Sequence, residues 1–349
     1  NGNADNCSPR APVKRNPSMA ERLEKLGIWL RSVLATTDVR LEPASGDASF
    51  RRYFRAILPG ERHYITMDAP PDKENCAPFV EVARQLAALG LHVPAIHEAD
   101  LEQGFLLLED LGDAQYLDAL DDSTADRLYG DALAALVVMQ ACGPTDALPP
   151  YDEQLLRAEL ELFRHWLCGE HLGLDLTAAD HAMLDEVFSA LVDSALEQPR
   201  VFVHRDYHSR NLMISSPPAP GILDFQDAVS GPVTYDLVSL LKDAYIRWPL
   251  ARVDEWARGY FDLAVQSGVL QQSHEADFQR WFDLMGVQRH VKVAGIFARL
   301  FRRDGKSGYL QDIPLVLDYI LEVAPRYDCL AGLARLIDTR VAPGLQAAA

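Results

Sequence analysis

The chain has 349 residues, 48% of them hydrophobic, with 51 acidic against 33 basic side chains and a net charge of −18. That composition can build a core large enough for two lobes, and so acidic a surface repels polyanions, which argues against a nucleic-acid partner. The longest unbroken apolar run, 132–139, is too short to cross a bilayer, and the scattered Cys7, Cys76, Cys142, Cys168 and Cys329 form no CxxC pair, as expected of a reduced cytoplasmic protein.

Residues 1–18 are polar, proline-containing and aperiodic, with no apolar signal core, and are expected to form a disordered tail. Leu23, Leu26, Leu30 and Val33 then recur at helical spacing and predict a helix over 20–33 with those four residues in its core. The following stretch to Pro70 reads as strands joined by turns at Gly46 and at Pro59-Gly60. Phe79, Val82, Leu86 and Leu89 define one face of a helix that closes on Gly90. VPAIHEAD and GFLLLEDLGD predict two more strands, broken at Gly104 and ending at Gly112.

From Ser123 the period changes. Segments 123–141, 153–169, 178–196, 233–247, 274–301 and 313–322 carry helical apolar spacing, while 201–227 reads as two short apolar strands around SSPPAPG. The expected class is α+β. A strand-rich N-lobe over 19–108 precedes a joint at 109–112 and a helix-rich C-lobe over 113–349.

Within VFVHRDYHSRNLMI, a knot of charge interrupts two apolar runs, and Asn211 follows Asp206 by five residues. A hairpin and the segment ILDFQD, with Asp224, come next. Phosphoryl transfer calls for a carboxylate that orients or deprotonates the attacking hydroxyl, and for oxygen ligands to Mg²⁺ beside the phosphates of ATP. Asp206 suits the first task; Asn211 and Asp224 suit the second. Each fragment alone also reads as an exposed turn or a helix cap. The combination of spacing, hairpin and second acid favours the chemistry.

HRDYHSRNLMI and GILDFQDAVSGPVTYDL resemble the aminoglycoside-phosphotransferase branch of the protein-kinase-like fold, over roughly residues 40–325. Like that branch, the chain shows no APE segment and no activation loop. SGDASFRRYFR, YITMDAPP, LLLEDLGD and QRHVKVAGIFARLFRRDGKSGYLQDIP further resemble the bacterial anomeric kinases of N-acetylmuramate and N-acetylglucosamine. The resemblance implies a bilobal fold, ATP and Mg²⁺, and a small-molecule amino sugar phosphorylated at C1 in peptidoglycan recycling. It implies no membrane and no obligatory protein partner.

By the same resemblance, Ser45, Gly46, Asp47, Ala48, Ser49 and Arg51 cover the phosphates, and the backbone of Glu109 and Leu111 meets the adenine edge. Apart from the resemblance, hydroxyls call for carboxylate and imidazole partners, which makes His208, Arg210, Asp227, Asp243 and Arg247 candidates to line a sugar pocket, each also readable as a surface or network residue; a lactyl carboxylate calls for an arginine. The basic row Arg289, His290, Lys292 and Arg299 forms salt bridges or meets substrate anions, and Tyr235-Asp236 starts a helix or anchors the loop. One departure stands out. The third-strand lysine of kinase-like folds is replaced by Met67, which leaves Arg51, Arg52 and Arg55 as candidate cations and Glu81 without its usual partner. The alternatives are another small-molecule phosphotransferase, such as an aminoglycoside kinase, or a nucleotide-binding pseudokinase.

Overall fold

The computed structural model describes residues 19–46, 50–60 and 62–348, so the expected tail and Asp47, Ala48 and Ser49 of the phosphate loop lie outside the described residues. Helix α1 (Met19–Val33) leads into strands β1 (Arg40–Gly46), β2 (Arg52–Leu58) and β3 (Arg62–Asp68). Helix α2 (Ala77–Ala88), β4 (Ile96–Asp100) and β5 (Phe105–Glu109) follow. The five strands form one sheet in the order β1-β2-β3-β5-β4.

The chain divides into two compact units: residues up to Asn75 with His97–Asp110, and Cys76–Ile96 with everything from Leu111 on. Segment 76–96, assigned from sequence to the strand-rich lobe, therefore belongs to the helical unit. The chain crosses between the units after Asn75, after Ile96 and after Asp110.

In the first unit, Leu26 and Leu30 of α1 pack on Ala56, Phe105 and Leu107, with Trp29, Phe54 and Tyr64 at the margin. Leu23, expected in this core, is instead 37% exposed. Antiparallel pairing sets Met67 opposite Tyr53 and Asp68 opposite Arg52. Asp68 is fully buried and pairs with both Arg52 and Arg22. The strand that should carry a buried cation thus carries a buried anion beside an apolar Met67. Gly104 has φ +72°, and a Cβ there would lie 1.9 Å from the Ala69 carbonyl oxygen, so only glycine fits the β4–β5 turn.

In the second unit, α2 buries Phe79, Val82 and Leu86 and stops as expected, with Gly90 at φ +79° and Leu91 N–H donating to Leu86 O at 3.2 Å. Then come α3 (Tyr116–Ala119), α4 (Ala125–Cys142), α5 (Glu153–Leu162) running into a π-helical turn over Phe163–His171, and α6 (Ala178–Leu196). Strands β6 (Arg200–Val203), β7 (Leu212–Met213), β8 (Gly221–Ile222) and β9 (Val229–Pro232) make two small antiparallel pairs, β6-β9 and β7-β8. Helices α7 (Tyr235–Leu241), α8 (Leu250–Gln266), α9 (Glu275–Asp304) and α10 (Ile313–Val323) follow, and two short helices, Ala331–Leu336 and Ala342–Ala348, complete the described chain.

Helix α8 has no counterpart among the expected segments. Its signal was present: Val253, Trp256, Ala257, Tyr260, Phe261 and Ala264 are buried at helical spacing. Helix α9 is the hub of this unit and packs on α5, α6, α7 and α10. At Gly295 it meets the backbone where α5 turns π-helical, and a Cβ would lie 2.3 Å from Leu162 C and 2.5 Å from Phe163 N. Gly295→Ala gains about 1 kcal/mol in helix propensity, but forcing the helices apart costs about 1–3 kcal/mol and prevails. Thermal unfolding should show a lowered midpoint; a raised one would mean the contact yields without strain.

Candidate active site

Strand β6 ends at Val203, paired with Val229 of β9, and delivers the charged knot to a loop. The loop ends in the β7-β8 hairpin, where Leu212 faces Ile222. One further bond, Leu223 N–H to Asn211 O at 2.9 Å, extends the pairing beyond the strands. Asn211 and Asp224 thereby become neighbours: Asn211 Nδ2 lies 3.4 Å from Asp224 Oδ2 and donates to the Asp206 carbonyl at 3.0 Å. The hairpin brings Asp206, Asn211 and Asp224 into one cluster.

The loop backbone is strained and held. Arg205 and Asp224 adopt φ of +77° and +63°, a region costly for residues other than glycine. Asp236, wholly buried at the start of α7, accepts the amide N–H groups of His204 at 2.6 Å and Arg205 at 2.9 Å. Burial pushes its carboxyl up to about 7 although both amide bonds favour the charge. Of the two sequence readings of Tyr235-Asp236, both apply: the pair starts α7 and Asp236 anchors the loop.

The Arg205 side chain turns away to pair with Glu159 of α5. Glu159 also receives Lys292 of α9 at 3.0 Å and the Tyr151 hydroxyl, and Lys292 donates to Tyr235 OH at 2.8 Å. This network ties the loop to both helices. Burial works against charge on Asp206, but Lys292, His208 and Arg205 together hold its carboxyl below the ordinary carboxylate range. Asp206 is therefore an anion, able to accept a proton, at neutral pH. Burial lowers His208, and brings His204 down to about 4, so both imidazoles are neutral there.

The expected sugar-pocket residues separate into two groups. His208 meets the Tyr245 ring edge-on at 5.5 Å, and the Arg210 guanidinium lies 3.6 Å over the same ring. Asp243 is buried and committed to the backbone: Oδ2 accepts the Ser209 amide at 2.9 Å and its hydroxyl, and Oδ1 accepts the Tyr245 amide at 3.2 Å. It holds the backbone at Ser209 and Tyr245 in place. Asp227 is exposed, and exposed Arg247 pairs with Asp318 and Glu322 of α10.

In the strand-rich unit, Ser45 and Gly46 end β1 opposite Tyr53 and Arg52, and Arg51 immediately precedes β2. Arg55 is engaged by Asp110, at 2.6 and 3.1 Å. Arg52 on Asp68 and Arg55 on Asp110 are thus both neutralised by carboxylates. Glu109 closes β5, the chain re-enters the second unit at Leu111, and Glu81 lies exposed on α2, accepting from Gln85. Sequence reasoning missed Glu159 and Tyr245. Glu159 left a trace, a carboxylate between Leu156 and Leu160 on the buried face of α5; Tyr245 left none.

Residues 40–269 match the sequence profile described as the phosphotransferase enzyme family. The N-acetylmuramate/N-acetylglucosamine kinase of Pseudomonas putida KT2440 is 50% identical over 92% of this chain and 97% of its own length. The protein of that name from Pseudomonas aeruginosa PAO1 is 49% identical over 90% and 96%. Choline kinase LicA from Streptococcus pneumoniae superposes with a TM-score of 0.60 at 14% identity, over 86% of this chain and 99% of its own. That last likeness concerns the fold, which is the expected α+β protein-kinase-like one.

Proposed function

We propose, because this chain belongs to the phosphotransferase enzyme family, that it transfers the γ-phosphoryl group of ATP to the anomeric hydroxyl of N-acetylmuramate and N-acetylglucosamine. The observation that carries the chemistry is the hairpin cluster of Asp206, Asn211 and Asp224. The acceptors come from the names of relatives that match nearly the whole chain. The role in the cell would be salvage of cell-wall sugars.

Asp206 orients the C1 hydroxyl and accepts its proton as the oxygen attacks phosphorus. An anomeric hydroxyl is more acidic than an ordinary alcohol, so a carboxylate held in its charged form suffices. Asn211 directs its amide N–H groups to Asp206 and Asp224, which leaves its carbonyl oxygen, with the Asp224 carboxylate, to hold Mg²⁺. Two protein oxygens fit an ion that takes its remaining ligands from phosphates and water. When bound, the ion offsets phosphate charge. We assign the phosphates to Ser45, Gly46, Asp47, Ala48, Ser49 and Arg51, and the adenine edge to the backbone of Glu109 and Leu111. His208 and Arg210 face the sugar.

Buried Met67 in place of lysine is the observation favouring a non-catalytic nucleotide-binding module, and ADP release with each sugar decides between them. The expected product is a sugar 1-phosphate. A glycosyl phosphate loses phosphate in mild acid through an oxocarbenium-like state, whereas a 6-phosphate survives. Phosphate release after mild acid, with ³¹P coupling to the anomeric proton, reads the position. An acid-stable product would exclude the anomeric position; turnover of aminoglycosides and of no sugar would exclude the acceptor class.

A further inference from the structure

Arg289 lies in the middle of α9 with 3% of its surface exposed. Its Nε and Nη1 are buried and find no acceptor among the described residues. A guanidinium cannot shed its charge, so burial without an acceptor is unfavourable unless an acceptor arrives from outside the fold. Of the neighbouring basic residues, Lys292 and Arg205 share Glu159, Arg247 pairs with α10, and Arg210 lies over the Tyr245 ring; His290, brought down to about 3 by burial, is neutral and its Nε2 lies 2.8 Å from the Lys242 carbonyl.

The surroundings locate this charge, which acts on buried Asp236 but donates to no acceptor through Nε or Nη1 among the described residues. Arg289 is among the charges acting on His208 and on Tyr245, so it sits beside the loop that carries Asp206. Two turns along α9, Phe297 contacts the Tyr245 ring at 6.1 Å. Two more buried polar atoms in this neighbourhood lack partners among the described residues: His208 Nδ1, and Oδ2 of Asp312, whose electrostatic neighbours are Arg210 and Asp243. A guanidinium and an imidazole beside an aromatic ring, with a carboxyl next to Arg210, suit a polyhydroxyl acceptor that brings its own anion.

We propose that Arg289 receives the carboxylate of the acidic sugar and so sets the preference between N-acetylmuramate and N-acetylglucosamine. The inference rests on the sugar-kinase reading above. Nη2 forms a planar fork with either unmatched donor, Nη1 or Nε, and a carboxylate takes such a fork in two parallel hydrogen bonds, whereas the neutral sugar has no group to fill it. Lysine, a point charge without the fork, reproduces only part of the match.

The test compares kcat/KM for both sugars in the wild-type protein, Arg289→Met and Arg289→Lys, with melting midpoints measured alongside. In Arg289→Met the ratio of N-acetylmuramate to N-acetylglucosamine should fall on the order of 10²-fold, the scale of lost charge-assisted hydrogen bonds, chiefly through KM. In Arg289→Lys it should fall by a smaller factor, which keeps the test open should the methionine variant not fold. An unchanged ratio in a folded variant, or an equal loss on both sugars, overturns the proposal. Wild-type protein inactive on both sugars overturns the functional reading itself, an outcome distinct from active protein with an unmoved ratio.

Discussion

Asp206→Asn lowers turnover by on the order of 10²-fold or more, the scale of a positioned general base, while ATP binding persists. The substitution is nearly isosteric and leaves the local bonds intact. Asn211 donates to the backbone carbonyl at 206, and the amide at 206 lies 3.2 Å from His204 Nδ1; neither contact uses the carboxylate. What is lost is the acceptor for the hydroxyl proton. The pH profile gives an independent check. Lys292, His208 and Arg205 hold the Asp206 carboxyl below the ordinary carboxylate range against the effect of burial, so the base stays ionised as pH falls from 7 toward 5. Asp206 should therefore add no acid limb to kcat/KM for a neutral sugar in that interval; the loop-anchoring Asp236, pushed up to about 7, is the carboxyl that would. Near-wild-type turnover in the asparagine variant, or an acid limb near pH 6 that the variant abolishes, would overturn this account of Asp206.

Glu159→Gln unfolds more easily, by about 3–5 kcal/mol, because it strands buried positive charges. Arg205 and Lys292 both direct their charge at this carboxylate, whose side chain is 6% exposed. Burial opposes its ionisation, but Lys292 and Arg205 with the Tyr151 hydroxyl prevail and lower its pKa. With the folded value below the unfolded one, the contribution is present above the ordinary carboxylate pKa and is lost as pH falls through the folded value. The wild-type advantage over the variant should accordingly shrink only in acid, below about pH 4. Denaturant unfolding at neutral pH measures the loss, and adding Lys292→Met should recover part of it by removing one stranded cation. A loss under about 1 kcal/mol would mean the network is worth no more than a surface pair.

What was legible in the sequence is what lies close along the chain. Helical spacing placed α6 at 178–196, and the turn-forming SSPPAPG between two apolar runs foretold the β7-β8 hairpin. That hairpin is what makes Asn211 and Asp224 neighbours. Contacts between distant segments were not legible, because an ion pair leaves no period. Arg52 with Asp68 depends on strand register, and Glu159 with Lys292 on the crossing of α5 and α9. Asp243 looked like a sugar ligand because a carboxylate beside a catalytic loop suits hydroxyls equally well. Only the geometry shows its oxygens bonded to Ser209 and Tyr245. Segment 76–96 could not be allotted to a unit from its own residues, since its apolar face reads the same whichever core receives it.

Helix α9 divides its labour by stripe. Gln288, Lys292 and Gly295 follow one line and meet Glu159 and the α5 backbone. Arg289 and Phe297, on the adjacent line, stand toward Tyr245. Inheritance can act on the two lines separately. A lineage could change its diet of acceptors by single substitutions along the second line while the first keeps the loop in place, so that taste can drift in this scaffold without passing through an ancestor that has lost its catalyst.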